Sequence, residues 1–446
     1  MGLRREVTAV TTENPIRALL RGRTSGRARG IYACCSANEY VLRAAFRRAR
    51  TAGTVTLVES TANQVNQEGG YTGMTPRRFR TFVDELARQE GAERGSVICG
   101  GDHLGPLTWR RLPEKEAMAR AEALVAAYAE AGFAKLHLDT SMRLADDDPQ
   151  ARLPDEVIAR RGARLCRAAE EAFGRYRQQY PQAPPPVYVI GSEVPVPGGA
   201  QENEERVEVT AAADCEATLE QYRQAFCREG LSEAWERVVA LVVQPGVEFA
   251  DESVVLYNRA AAASLTAWLR SRPGLVFEGH STDYQPREKL RQLAEDGVAI
   301  LKVGPALTFA LREGLFALEG IEQELHGLEE FPLSGLRAAL ERAMVEDSGQ
   351  WESYYHGSTA QKRYSRAFSY SDRSRYYLTS EPVRQATRRL LHNLSGRRIP
   401  PALLSQYLPK QYTRVQAGTL AGEAEALLID RVGDCIDDYL YAVLRE

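Results

Sequence analysis

The sequence predicts a (β/α)8 TIM barrel with a C-terminal helical extension, on three observations. Eight short apolar runs alternate with longer amphipathic stretches through the first three-quarters of the 446 residues. Each run ends in a polar or Gly/Pro cluster, as buried parallel strands do. Four of the eight deliver His or carboxylate side chains to their ends, where barrels carry their chemistry.

The runs lie at 30–37, 54–60, 96–103, 134–141, 187–193, 238–246, 275–281 and 298–305. Helical patterns separate them. One starts at Thr75-Pro76, with Thr as N-cap and Pro at the first helical position. Another spans 113–132 and stops at Gly132; a longer one spans 154–179, ahead of the Pro-rich QAPPP. An open doubly wound sheet would fit the alternation equally, but its nucleotide-binding signatures are missing. The loop 194–213 is long and mixes Pro and Gly with acidic residues, the composition of a functional or mobile loop. Beyond residue 328 the strand pattern gives way to Tyr/Arg-rich helical sequence, including YSRAFSYSDRSRYY at 364–377. The organisation expected is an N-terminal segment 1–29, a barrel 30–327 and an extension 328–446 packed on the barrel. An oligomer interface or a reach toward phosphate are the other roles open to the extension.

A formal net charge of −3 offers no basic field for nucleic acid. The arginines at 17, 21, 23, 27 and 29 read as a solvated entry segment, since no aromatics are interleaved. Seven cysteines without C-x-x-C spacing read as reduced thiols of a cytoplasmic protein. No apolar leader and no run of ~18 apolar residues suggests a membrane segment. Self-association is left open.

The strand-end filter selects the chemistry. The third run ends in Asp102-His103, the fourth holds His137 and Asp139, the fifth ends in Glu193, and the seventh ends in Glu278 and His280, followed by Ser281, Thr282 and Asp283. Three of the six histidines fall here, and His with carboxylate suits Zn²⁺ or a similar ion such as Mn²⁺. His137 lies deeper in its strand and reads as core or as support for the metal ligands. Asn63 and Gln64, in the Gly-rich loop after the second run, are natural hydroxyl-binding groups at a barrel mouth. Gly304-Pro305 opens a helix with Thr308 in its first turn and Lys302 nearby, a phosphate signal. Gly100-Gly101 permits either close packing or close approach of a ligand. The sequence has no G-x-x-x-x-G-K-[ST] loop, no G-x-G-x-x-G after a strand and no G-x-S-x-G elbow, so no nucleotide cofactor is expected.

The strings STANQVNQEGGYTGMTP, GGDHLGP, AGFAKLHLD, GSEVPVPGG, VVQPGVEF, GHSTDYQ and LKVGPALTFALRE, with SDRSRYY and SQYLPKQY in the tail, resemble the GatZ/KbaZ family, over 31–412. Its members are the so-called non-catalytic subunits of class II D-tagatose-1,6-bisphosphate aldolase. The resemblance implies an accessory role beside a catalytic class II subunit. It also implies a zinc site of His103, Glu193 and His280, with Asp102, Asp139 and Glu193 in proton handling. The sixth run departs from the aldolase pattern: it offers Gln244 and Glu248 where a catalytic aldolase has a zinc-binding His. Relatives in the wider family resemble stand-alone ketose or ketose-phosphate 4-epimerases, and a retro-aldol step at the same residues would serve that reaction.

Overall fold

A computed structural model describes residues 13–24, 29–93, 95–192 and 207–445. Eight parallel strands close into a barrel: β1 Ile31–Cys34, β2 Thr56–Thr61, β3 Val97–Leu104, β4 Lys135–Leu138, β5 Val187–Ile190, β6 Val238–Val243, β7 Val276–Gly279 and β8 Val298–Val303. Sequence neighbours pair throughout, and β8 closes on β1 with Ile31 opposite Ile300 and Ala33 opposite Lys302. All eight coincide with the apolar runs. A two-stranded hairpin, Glu248–Phe249 with Val254–Val255, follows β6 and was not foreseen.

Local chemistry explains the helices. Thr75 accepts the Arg78 N–H ahead of Pro76–Gln89, and Pro76 needs no N–H partner at that position. Glu114–Glu130 ends just before Gly132, whose φ of 76° is left-handed.

Alternation along each strand sorts the interior. Near the strand starts, Ile31, Leu57, Ile98, Val187 and Ile300 form a buried apolar cluster with Ile16 and Leu20. The last two belong to the helix Pro15–Thr24, which plugs that end. The basic N-terminal stretch is thus not a wholly solvated entry; its two apolar side chains anchor it. One pitch further along, the inward positions are Glu59, Lys135, Glu278 and Lys302, all buried.

The sequence after residue 328 packs on the barrel. Its last helix, Ala424–Val443, lies against Glu39–Ala52, Arg287–Glu295 and Pro305–His326. The stretch before it crosses the barrel mouth: Tyr284 Oη donates to the Tyr370 carbonyl at 2.6 Å, and Thr308 Oγ1 donates to Asp372 Oδ2 at 2.5 Å. No helix of the described residues is long and apolar enough to cross a membrane.

Candidate metal centre

The centre is built on a column of buried charge. Glu59, Gly100 and Lys135 are register partners on β2, β3 and β4. A Cβ on Gly100 would lie 2.8 Å from Glu59 Oε1, so this glycine makes room for a neighbouring carboxylate rather than for a ligand. Lys135 Nζ lies 2.5 Å from Glu59 Oε1 and 2.6 Å from Glu278 Oε2. Lys302 Nζ lies 2.6 Å from Glu59 Oε2 and 2.5 Å from Asp102 Oδ2. Burial works against both ammonium charges, but the facing carboxylates outweigh it and hold both lysines above their ordinary pKa. Neither is a free amine.

Above this column sit three imidazoles. His103 and His280 have ring centroids 4.8 Å apart, and His137 lies 5.1 Å from His103 and 5.2 Å from His280. One ligand atom each from Asp102, His103, His137 and His280 falls within 4.8 Å of all the others. Asp139 Oδ2 lies 2.8 Å from His103 Nδ1, and Glu278 Oε1 lies 3.0 Å from His280 Nε2. Carboxylates behind imidazoles fix ring orientation in metal sites. Asp102 Oδ1 lies 3.0 Å from His137 Nδ1, while His137 Nε2 is buried without a hydrogen-bond partner. An orphaned imidazole nitrogen beside two further imidazoles and a carboxylate fits a borderline divalent ion. His137 is buried, as its depth in the strand suggests, and its free nitrogen lies among the atoms that could hold such an ion, where the sequence reads it as core or as support for the ligands.

The electrostatics divide the imidazoles: burial opposes a charge on His103, but Asp102 and Asp139 outweigh it and hold its pKa above the ordinary value. Burial pushes His280 down to about 3, helped by its cationic neighbours. Burial opposes ionisation of Asp102, yet His103 and Lys302 outweigh it and hold the carboxyl well below its usual range. Asp139 is likewise held ionised against burial by its bond to His103. His103 sits at φ 45° and Ser281 at φ 54°, left-handed conformations that non-glycine residues adopt at a cost.

A pocket opens onto this cluster, lined by Asn63, Gln64, Asp102, His103, His280, Ser281, Asp283, Lys302 and Gly304. Of the other residues singled out in the sequence, Asp139 stands behind His103, and Thr308 is turned away to Asp372. The helix start at Gly304 is not open to phosphate. Asp283 Oδ1 accepts from the Gly304 and Ala306 N–H groups at 3.1 and 2.8 Å. Gln244 is not a substitute ligand: its Oε1 accepts the Gly246 and Val247 N–H groups, both at 2.9 Å. The third imidazole comes from β4 instead of β6. Glu193 lies outside the described residues. Sequence reasoning missed Glu59, which lies two residues before the end of β2, and it missed Arg375 and Tyr376, which reach the pocket from the extension.

A family model described as D-tagatose-1,6-bisphosphate aldolase subunit GatZ/KbaZ-like matches residues 16–444. The crystal structure of a probable tagatose 6 phosphate kinase from Sinorhizobium meliloti is 45% identical, covering 93% of this chain and 100% of that one, with a TM-score of 0.83. Fructose-bisphosphate aldolase from Campylobacter jejuni is 13% identical (95% and 93% covered, TM-score 0.44) and the YdjI aldolase from Escherichia coli K12 is 12% identical (81% and 95% covered, TM-score 0.37). These two are remote likenesses.

Proposed function

The chain belongs to the D-tagatose-1,6-bisphosphate aldolase subunit GatZ/KbaZ-like family, and from that premise we propose that it binds a divalent metal, Zn²⁺ or Mn²⁺, and a ketose or ketose phosphate while supporting a class II catalytic subunit. The observation that carries this is the convergence of ligand atoms of His103, His137, His280 and Asp102 within 4.8 Å, with His103, His280 and Asp102 lining a pocket. When bound, such an ion polarises a ketose carbonyl.

The side chains supply the rest. Asp139 and Glu278 hold the His103 and His280 rings. Asp102, kept ionised by Lys302 and His103, is the proton acceptor for the hydroxyl at C4. Removing that proton would break the C3–C4 bond, the oxygen becoming the aldehyde carbonyl and the C3–C4 pair passing into the fragment that carries the C2 carbonyl. Protonation of that fragment at C3 completes cleavage, whereas its return to the other face of the aldehyde, with the proton going back to the C4 oxygen, gives the C4 epimer. Such general-base help is worth ~10²–10⁴-fold in rate. Asn63, Gln64 and Ser281 offer polar contacts to the remaining hydroxyls.

A second reading, a stand-alone ketose or ketose-phosphate 4-epimerase, is favoured by one observation: the cluster is assembled from this chain alone. The kinase activity in the name of the Sinorhizobium protein would need a nucleotide site, and this sequence has neither glycine-rich phosphate loop. The deciding experiment is metal analysis of the purified chain. Turnover of tagatose 1,6-bisphosphate and fructose 6-phosphate is then measured with and without a class II catalytic subunit. Metal with turnover only in the mixture supports the accessory reading. Epimer formation by the chain alone establishes the second. Absence of bound metal after growth and dialysis in zinc and manganese sinks both.

A further inference from the structure

We propose that Arg375, carried by the C-terminal extension, docks the phosphate of a phosphorylated ketose in this pocket; the proposal rests on the pocket being a ketose site. Among the described residues the pocket has two side chains of permanent positive charge, Lys302 and Arg375. Lys302 is committed to Glu59 and Asp102. The first turn of Pro305–His326 has no donor to spare: the Gly304 and Ala306 amides bind Asp283, those of Leu307 and Thr308 bind the Gly304 carbonyl, and Pro305 has none. Anion recognition therefore falls to Arg375.

Its geometry suits the task. Nη1 donates to the Ser371 and Asp372 carbonyls, and Nη2 donates to Tyr376 Oη at 3.1 Å. A guanidinium has five N–H donors, so two remain without a partner among the described residues, and no carboxylate there lies in ion-pair range. A planar cation with spare donors matches phosphate oxygens two at a time. The turn that presents it is fastened to the barrel. Asp372 holds a left-handed φ of 40° while its carboxylate takes Thr308, Arg312 and Ser374. The rings of Tyr71 and Tyr376, edge to face at 4.8 Å, wall the same side.

The test is calorimetric titration of inorganic phosphate, fructose 6-phosphate and fructose into the metal-loaded chain and into Arg375→Ala. Arg375→Gln, which keeps donors for the Ser371 and Asp372 carbonyls, guards against a folding defect. Losing a charged hydrogen-bond pair costs about 1.5–3 kcal/mol, so both phosphate ligands should bind about 10–100-fold more weakly to the variants. Fructose affinity, metal content and melting temperature should be unchanged. Phosphate affinity equal to wild type in both folded variants overturns the proposal, as does a wild-type chain that binds no phosphate. If phosphate binding depends on Arg375 while neither fructose nor fructose 6-phosphate binds more tightly than phosphate alone, the anion site stands and the ketose reading falls.

Discussion

The two ends of the barrel interior are made by the same eight strands and do opposite things. Near the strand starts the inward side chains are Ile31, Leu57, Ile98, Val187 and Ile300, sealed by Ile16 and Leu20. A few residues on, the same faces carry Glu59, Asp102, Lys135, Glu278 and Lys302 in one buried network. Apolar filling contributes stability through area removed from water. Buried ion pairs contribute little net stability, because desolvation offsets attraction, but they are costly to break. The charged half is thus kept for what it holds in place.

His103→Ala should produce the largest effect: loss of metal retention and of any metal-dependent activity, read by metal analysis and turnover. The chain should still fold, since His103 touches the charged half and none of the apolar plug. His103→Gly should lose metal equally but be the more stable of the two by about 1 kcal/mol, because φ 45° suits glycine. Activity surviving in either variant would show the assignment of the centre to be wrong.

Lys135→Met comes next. It takes from Glu278 its only lysine partner and leaves Glu59 with Lys302 alone, at a cost of about 3–5 kcal/mol in chemical denaturation. A cost of about 1 kcal/mol or less, no more than the loss of one buried methylene, would mean that water or protonation rescues the pair, and the contrast between the halves would weaken.

Ile300→Val sharpens the comparison from the other side. Removing one buried methylene should cost about 0.5–1.5 kcal/mol and leave metal content and ligand affinity at wild-type values. Any loss of metal from that position would show that the halves are mechanically coupled.

The smallest effect is expected at Asp283. Burial raises its carboxyl to about 6, against the pull of the Gly304 and Ala306 amides. A folded pKa above the unfolded value of ~3.9 means that the native state binds the proton more tightly. The stabilising contribution is full below that unfolded value and is lost as pH rises through about 6. Asp283→Asn keeps the acceptor oxygen and removes the charge. Its stability relative to wild type should therefore improve between pH 5 and pH 7.5 in parallel melts; a flat difference would contradict the raised pKa.

Much of this was legible in the sequence. Apolar runs bounded by polar or Gly/Pro clusters placed all eight strands, and their ends put Asp102, His103 and His280 at one rim. Alternation gives the face of a strand but not its height in the barrel, which depends on the stagger between strands. That is why His137, inside its strand, read as core, and why Glu59 and Lys135 could not be paired. Gln244 showed that β6 lacks a histidine; that β4 supplies one instead is a fact of three dimensions. Arg375 lay in a Tyr/Arg-rich tract with no periodicity to say that it turns back over the mouth. The Gly304 helix start was a sound phosphate signal until Asp283, twenty-one residues earlier, proved to occupy it.

The position of the last helix has a consequence for how the molecule comes to exist. Arg29 and Gly30, just before β1, donate their N–H groups to the Val443 carbonyl, and Tyr439 Oη donates to the Thr282 carbonyl beside the metal centre. During synthesis, β1 leaves the ribosome about 390 residues before its cover begins to. The barrel seam must wait, with apolar surface exposed, until residues 424–443 arrive. Contacts of such sequence separation slow folding and prolong the interval in which aggregation competes. Ending translation before that helix should therefore leave a chain dependent on chaperones, however complete its eight strands.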